Sequence, residues 1–141
     1  MFEDLYFAYG SNMEPERMQS RCPGAKAEGT ALLTDWEVRI GLRGVATIVE
    51  SPDAETWGVL WAVTPSDVRS LDQVEGVARG LYSPASVDVR GPEDVCTARI
   101  YIEKFKGDGR PRPGYLQIVL DGARHFDLPT SYRARLAGLG N

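Results

Sequence analysis

The chain has 141 residues, of which 43% are hydrophobic and 26% are charged, and its formal net charge at pH 7 is -4. This size and composition predict one globular domain over residues 1–141, large enough to bury a core. No apolar run approaches the ~20 residues of a transmembrane helix, and the acidic start at Glu3 and Asp4 is unlike a secretory signal.

The first predicted element is a short apolar strand at residues 6–9, which runs through Gly10 into a helix. Asn12 suits the N-cap of that helix, and Pro15 is tolerated in its first turn. A strand, turn and helix of this kind leave backbone N–H groups beside the positive end of a helix dipole, which favours an anion site. A connector made of ordinary turn residues is the alternative.

The next segment is rich in β-branched and apolar residues and predicts three strands. They cover residues 29–42, 44–49 and 56–63, and a turn at residues 51–53 separates the last two. The strongly apolar third strand is expected to lie centrally in the sheet.

Residues 64–76 change to a helical pattern. Thr64 is placed as the N-cap, Pro65 follows at the first helical position, and Asp67 completes a capping box. Apolar side chains then recur at helical spacing and predict one buried face, formed by Val68, Leu71 and Val74.

Glu75 falls in the last turn of that helix, where the partial negative charge of the helix end disfavours a carboxylate. If the side chain is also partly buried, its pKa rises, as a proton-shuttling carboxyl requires. The alternative is a surface glutamate near a helix end.

The remaining elements are a hairpin, a loop and two helices. The hairpin strands cover residues 82–89 and 95–102, a Gly/Pro/basic loop covers residues 104–114, and helices follow over 115–123 and 128–136. The loop is expected either to cover a site or to be flexible surface, and Gly122 weakens the first of the two helices.

Metal-binding residue types are scarce. Cys22 and Cys96 form no C-x-x-C pair, and His125 is the one histidine, so a zinc site of the usual kind lacks ligands. We expect a cytoplasmic protein without metal or cofactor, in which both thiols are reduced. Basic residues exceed acidic ones in residues 99–141, but no nucleic-acid module accompanies them, and neither nucleic acid nor membrane is expected as a partner.

Two blocks of the chain resemble the γ-glutamylcyclotransferase family, whose members release 5-oxoproline from γ-glutamyl compounds. They are Tyr9-Gly10-Ser11-Asn12-Met13, directly after the first strand, and Leu71-Asp72-Gln73-Val74-Glu75-Gly76. Shorter similarities at residues 46–48, 57–59 and 113–132 extend the resemblance over nearly the whole chain. It implies an α+β fold: a small, mixed, mostly closed β-barrel of about six strands with surrounding helices.

The resemblance also implies the site. Glu75 corresponds to the family's acid/base residue, and Asp72 is the rival carboxylate, ranked second as a structural contact. The implied substrate-binding residues are Tyr9, Gly10, Ser11, Asn12, Met13, Tyr82, Tyr101 and Tyr115. Met13 stands where the family commonly has leucine. The motif reads Tyr-Gly-Ser-Asn and not the Tyr-Gly-Ser-Leu of the glutathione-specific branch, so glutathione is the less expected substrate.

The expected partner is a small γ-glutamyl substrate, and a homodimer is plausible by likeness to the family. Two other functions stay open. One is a γ-glutamyl acyltransferase or carrier-unloading enzyme, for which the basic loop 104–114 would receive the carrier. The other is a non-catalytic small-molecule-binding module of the same fold.

Overall fold

Five strands close into a mixed β-barrel in the computed structural model, which describes residues 4–140. The strands are β1 (Asp4–Ala8), β2 (Lys26–Ile40), β3 (Ala46–Val63), β4 (Ser83–Arg90) and β5 (Val95–Ile102). Their order around the barrel is β1-β3-β2-β4-β5. All neighbours are antiparallel except β1 and β5, which are parallel.

Four α-helices accompany the barrel within residues 4–140: α1 (Pro15–Arg21), α2 (Pro65–Val74), α3 (Tyr115–His125) and α4 (Thr130–Ala137). Short 3-10 turns cover Ser11–Met13, Val77–Arg79 and Gly138–Gly140. None of the helices formed by these residues has the length and apolar character needed to cross a bilayer. Met1 to Glu3 and Asn141, which the single-domain prediction also covers, lie outside the described residues.

The α+β barrel is confirmed, with five strands where about six were predicted, because two predicted strands are one. Residues 51–53 do not reverse the chain, and β3 continues through them. Strand β2 pairs with β3 on both sides of this segment, and only the register shifts, between Thr34 and Trp36. Asp35 and Asp53 take left-handed φ values of 69° and 67°, and the Asp53 amide donates to Asp35 Oδ1 at 2.9 Å. The turn-forming residues therefore build a bulge in a long hairpin.

The prediction that Asn12 caps α1 is wrong. The cap is Glu14, whose carboxylate accepts hydrogen bonds from the amides of Glu16 at 2.6 Å and Arg17 at 3.3 Å. Residues Ser11–Met13 form a separate 3-10 turn before the helix, so Asn12 is too early to cap it and is instead buried. Pro15 takes the first helical position as predicted.

Helix α2 begins with the predicted capping box. Thr64 Oγ1 accepts from the Asp67 amide at 3.1 Å, and Asp67 Oδ2 accepts from the Thr64 amide at 3.0 Å. Leu71 is fully buried, but Val74 at the helix end is 39% exposed, so the predicted buried face is wrong at this residue. The reason is that Val74 borders a cavity in place of the core.

The hairpin of β4 and β5 is confirmed, and α3 lies against the turn formed by Ser11–Met13. Gly122, predicted as a weakness of α3, makes this contact possible. A Cβ atom there would lie 2.6 Å from the carbonyl carbon of Met13 and 2.7 Å from the amide nitrogen of Glu14. The absence of a side chain thus allows helix and turn to touch through their backbones.

Candidate active site

A cavity of about 360 Å³ opens where the loop after β1, the end of α2 and the start of α3 meet. This volume lies within the range of roughly 300–1,000 Å³ that small-molecule sites occupy. Eight of the nine residues predicted for the site line it: Tyr9, Gly10, Ser11, Asn12, Glu75, Tyr82, Tyr101 and Tyr115.

The ninth predicted residue, Met13, does not line the cavity. Its side chain is fully buried, and its amide donates to the Gly10 carbonyl at 3.1 Å within the 3-10 turn. The prediction of substrate contact is wrong here because the turn rotates Met13 into the core while its neighbours face the cavity. Met13 therefore packs the loop against the core.

Asn12 joins the loop to the end of α2. Arg21 Nη1 donates to Asn12 Oδ1 at 2.7 Å, and because a guanidinium can only donate, the amide nitrogen must face the other way. Asn12 Nδ2 then lies 3.0 Å from Tyr6 Oη and 3.4 Å from Glu75 Oε1. The two blocks on which the family resemblance rests meet at this amide.

Glu75 immediately follows the last residue of α2, and its side chain is half-buried. Gly76 takes φ 64°, in the left-handed region, and the chain turns there so that the amide of Tyr82 returns to the Glu75 carbonyl at 3.2 Å. Burial raises the pKa of the Glu75 carboxyl, and the positive charges of Arg21 and Arg43 limit the rise. Such a carboxyl can accept and return a proton closer to neutral pH than an exposed glutamate.

Asp72, the rival carboxylate, is not part of the cavity wall. It accepts hydrogen bonds from Tyr101 Oη at 2.6 Å and Arg99 Nη2 at 2.9 Å. Burial alone would raise the pKa of Asp72, but the bonds from Tyr101 and Arg99 outweigh it and lower the pKa. Asp72 is thus a charged structural partner of β5, and both bonds end on the same oxygen, Oδ1.

The predicted tyrosines hold backbone as well as lining the cavity. Tyr82 Oη donates to the Ala46 carbonyl at 2.6 Å, while the Ala46 amide donates to Tyr115 Oη at 3.0 Å. Tyr9 Oη likewise donates to the carbonyl of Tyr101 at 2.5 Å. Burial raises the pKa of Tyr9, Tyr82 and Tyr115, so their hydroxyls are neutral.

Four arginines in the cavity wall were not predicted: Arg17, Arg21, Arg43 and Arg112. The spacing of the first two, four positions apart in the helix after the loop, was the available signal. Among the described residues that line the cavity, Glu75 is the only carboxylate. The wall is therefore positively charged and suited to an anionic ligand.

Of the two expectations for residues 104–114, contact with a site fits the structure better. The Gly109 amide donates to the Ile40 carbonyl at 2.9 Å, and the Arg112 amide donates to the Gly44 carbonyl at 2.9 Å. These bonds fix the loop along the turn between β2 and β3. Its last residues, Arg112 to Gly114, form part of the cavity rim.

Residues 4–140 contain no group of three or more His, Cys, Asp or Glu side chains arranged to hold a metal ion. His125 is exposed at the end of α3, where its ring contacts Phe126 at 4.8 Å between centroids. Cys22 is buried and Cys96 half-buried, and both are free thiols.

Comparison with known proteins gives consistent matches over most of the chain. The profile of the AIG2-like family matches residues 55–136. The chain is 38% identical to γ-glutamylcyclotransferase of Bos taurus over 143 residues, which covers 94% of this chain and 76% of the bovine protein. It is 36% identical to γ-glutamylcyclotransferase of Homo sapiens, covering 96% of this chain and 78% of the human protein.

A solved structure described as a γ-glutamyl cyclotransferase superimposes with a TM-score of 0.89 at 36% sequence identity. The superposition covers 96% of this chain and 86% of the other. The similarity thus includes both the barrel and the segments that surround the cavity.

Proposed function

Because the chain belongs to the γ-glutamylcyclotransferase family of AIG2-like proteins, we propose that it is an enzyme that converts a γ-glutamyl compound to 5-oxoproline and a free amine. The γ-glutamyl compound is an amino acid derivative, a peptide or an amine. The observation that carries the proposal is the contact between Asn12 and Glu75, which brings the Tyr-Gly-Ser-Asn loop and one half-buried carboxyl to the same cavity.

The reaction needs no nucleophile from the protein. The α-amine of the substrate attacks its own γ-carbonyl carbon, the ring C–N bond forms, and the bond to the leaving nitrogen breaks. Holding the two reacting groups in contact can supply up to about 7–11 kcal/mol of the barrier in the best cases. The first task of the site is therefore to fix the folded conformation of the γ-glutamyl group.

Glu75 moves the protons. Its carboxylate takes a proton from the α-ammonium, and the resulting carboxylic acid gives a proton to the leaving nitrogen. The attacking nitrogen loses two protons in all, and the leaving nitrogen gains two when it departs as an ammonium, so protons and charge balance. The raised pKa of Glu75 suits both directions of transfer.

The loop and the arginines bind the substrate. Gly10, Ser11 and Asn12 border the cavity beside Arg17 and Arg21, so the loop and two positive charges face the same space. A substrate α-carboxylate held there would leave the amine directed toward Glu75. The neutral hydroxyl of Tyr115 borders the same space and can donate to a ligand oxygen.

The test is the release of 5-oxoproline from a panel of γ-glutamyl amino acids, peptides and amines, with the wild-type protein and Glu75→Gln. We expect turnover of at least one compound and a loss of at least about 100-fold in kcat in the variant, since general acid-base catalysis contributes roughly 10²–10⁴-fold. Glutamine keeps the shape of the side chain, so ligand binding measured by calorimetry should persist.

Two results would contradict the proposal. Wild-type activity in Glu75→Gln would remove Glu75 from the chemistry. A wild-type protein that releases no 5-oxoproline from any panel member, yet binds them, would favour the binding-module function.

A further inference from the structure

Arg43 and Glu103 form an ion pair at the edge of the cavity. Arg43 Nε donates to Glu103 Oε2, and the side chains are 33% and 11% exposed. Arg43 belongs to the cavity wall, whereas Glu103 lies behind it, directly after the last residue of β5. A nearly buried carboxylate thus holds a cation that faces the proposed substrate.

The backbone of Glu103 is fixed by one buried side chain. Thr47 Oγ1 donates to the Glu103 carbonyl at 2.6 Å and accepts from the Glu103 amide at 3.1 Å. Thr47 itself is fully buried on β3. These two hydrogen bonds therefore fix the backbone of Glu103, the ion-pair partner of Arg43.

Two further contacts set the position of Arg43. Its guanidinium carbon lies 5.5 Å from the ring centroid of Tyr82, and its carbonyl accepts from Arg112 Nε at 2.8 Å. Across the cavity, the charge of Arg43 acts on the carboxyl of Glu75. Since Glu75 is the only carboxylate among the described cavity-lining residues, a released Arg43 would be drawn to it.

We propose that Glu103 is a positioning residue that holds Arg43 away from Glu75, which keeps the carboxyl of Glu75 free to transfer protons and Arg43 free to face the substrate. The inference rests on the proposed function of Glu75. Arg21, the other cation that acts on Glu75, is held in the same way by the side-chain oxygen of Asn12.

The other groups around Glu75 do not offer the same control. The titratable and charged side chains that act on it or on which it acts are Tyr6, Tyr9, Arg21, Arg43, Tyr82 and Tyr115. The pKa of each tyrosine is raised, chiefly by burial, so these groups stay neutral around neutral pH. Arg17 and Arg112 also line the cavity, but the charges that act on the Glu75 carboxyl are those of Arg21 and Arg43, and Glu103 determines the position of Arg43.

The test compares Glu103→Gln with Arg43→Gln. The acidic limb of the pH profile of kcat/KM reports the free-enzyme pKa of the base. In Glu103→Gln, Arg43 pairs with Glu75, so the limb should move to lower pH by about one unit while kcat falls about tenfold. In Arg43→Gln, a stabilising cation is lost, and the limb should move to higher pH.

The opposite signs exclude a common effect of breaking the ion pair, which would move both limbs in the same direction. Asp108→Asn is the matched control. Asp108 lies on the loop of residues 104–114, which follows Glu103, and pairs with Arg39 at 2.6 Å, but neither Asp108 nor Arg39 lines the cavity. It should leave the limb unmoved. Equal shifts in the two ion-pair variants, or none in Glu103→Gln, would overturn the proposal.

Two additions keep the test decisive. The double variant Glu103→Gln/Arg43→Gln has no Arg43 left to release, so its limb should coincide with that of Arg43→Gln. A limb at clearly lower pH than that of Arg43→Gln would show that the charge of Glu103 acts directly on Glu75 and would contradict the inference. Titration of the Glu75 carboxyl by ¹³C NMR measures the same shifts without turnover. If the wild type releases no 5-oxoproline, the proposed function fails, while the NMR titration still decides the role of Glu103.

Discussion

Asn12 Nδ2 lies 3.4 Å from Glu75 Oε1, although 63 positions of sequence separate the two residues. The same amide group accepts from Arg21 through its oxygen. Asn12 therefore separates an arginine from a carboxyl that would otherwise attract each other. The amide oxygen contacts the positive charge of Arg21 and the amide nitrogen contacts the carboxyl of Glu75. A substitution that changes either atom should therefore alter the pKa of Glu75.

Asn12→Asp places a carboxylate beside Glu75 and should raise the pKa of Glu75, because two like charges disfavour ionisation of one of them. A base with a higher pKa is deprotonated only at higher pH. The acidic limb of kcat/KM should therefore move up by about one pH unit, with lower activity at pH 6. Rates of 5-oxoproline release between pH 5 and 9 measure the shift.

Gln19→Glu is the control for Asn12→Asp, since it adds the same charge to α1 at an exposed position outside the cavity. It should leave the limb in place. A shift of similar size in both variants would assign the effect to net charge and not to the contact with Glu75.

Asp72→Asn should retain activity within about tenfold of wild type, because Asp72 does not line the cavity and reaches it only through its hydrogen bond with Tyr101. Its effect should appear in stability. The pKa of Asp72 is lowered in the folded state, so the carboxylate stabilises the protein above its unfolded pKa of about 3.9. That contribution is lost as the pH falls through the folded pKa.

For this partly exposed pair we expect Asp72→Asn to lower the free energy of unfolding by about 1 kcal/mol at pH 7 and by much less at pH 3. Urea unfolding at both pH values measures the difference. A loss of activity as large as that of Glu75→Gln would instead make Asp72 the acid/base residue.

Gly122→Ala should destabilise the protein by about 1–3 kcal/mol, because the new Cβ atom would meet backbone atoms of Met13 and Glu14 that cannot move independently. Helix propensity acts in the opposite direction, by roughly 1 kcal/mol, so the sign of the result decides which effect dominates. Thermal unfolding gives the measurement.

Gly138→Ala is the control for Gly122→Ala, because it makes the same substitution at a position where the added Cβ atom has no close neighbour. Nothing lies within 4 Å of a Cβ atom built at Gly138, and its φ of -79° suits any residue. Its free energy of unfolding should change by less than about 0.5 kcal/mol. Equal stability of the two variants would show that α3 can shift away from the loop without cost.

Local chemistry predicted the elements whose signals lie within a few residues. The capping box of Thr64 and Asp67 and the hairpin of β4 and β5 need only neighbouring side chains to form. Residues 51–53 have the composition of a turn, and only the continued pairing of β2 on both sides makes them a bulge. Pairing partners far apart in sequence are not visible in a local pattern.

The site divides in the same way. The motifs predicted Glu75 and the loop as parts of one site, and both line the same cavity, but the partial burial of Glu75 and the positions of Arg21 and Arg43 depend on the closed barrel. Met13 was assigned to the site because it lies in the motif, although the rotation of a 3-10 turn places it in the core. Spacing identifies which residues belong to a block, whereas the direction of each side chain follows from the assembled fold.

Tyr82 and Tyr115 form hydrogen bonds with the carbonyl and the amide, respectively, of one residue, Ala46, at the start of β3. Neither ring can swing aside without leaving a buried main-chain group unpaired. These side chains are already ordered in the folded protein, so binding of a ligand should require little rearrangement and little further loss of side-chain entropy. Selectivity would then come from steric exclusion of ligands that do not fit the preformed cavity, and not from closure of the protein around a bound ligand.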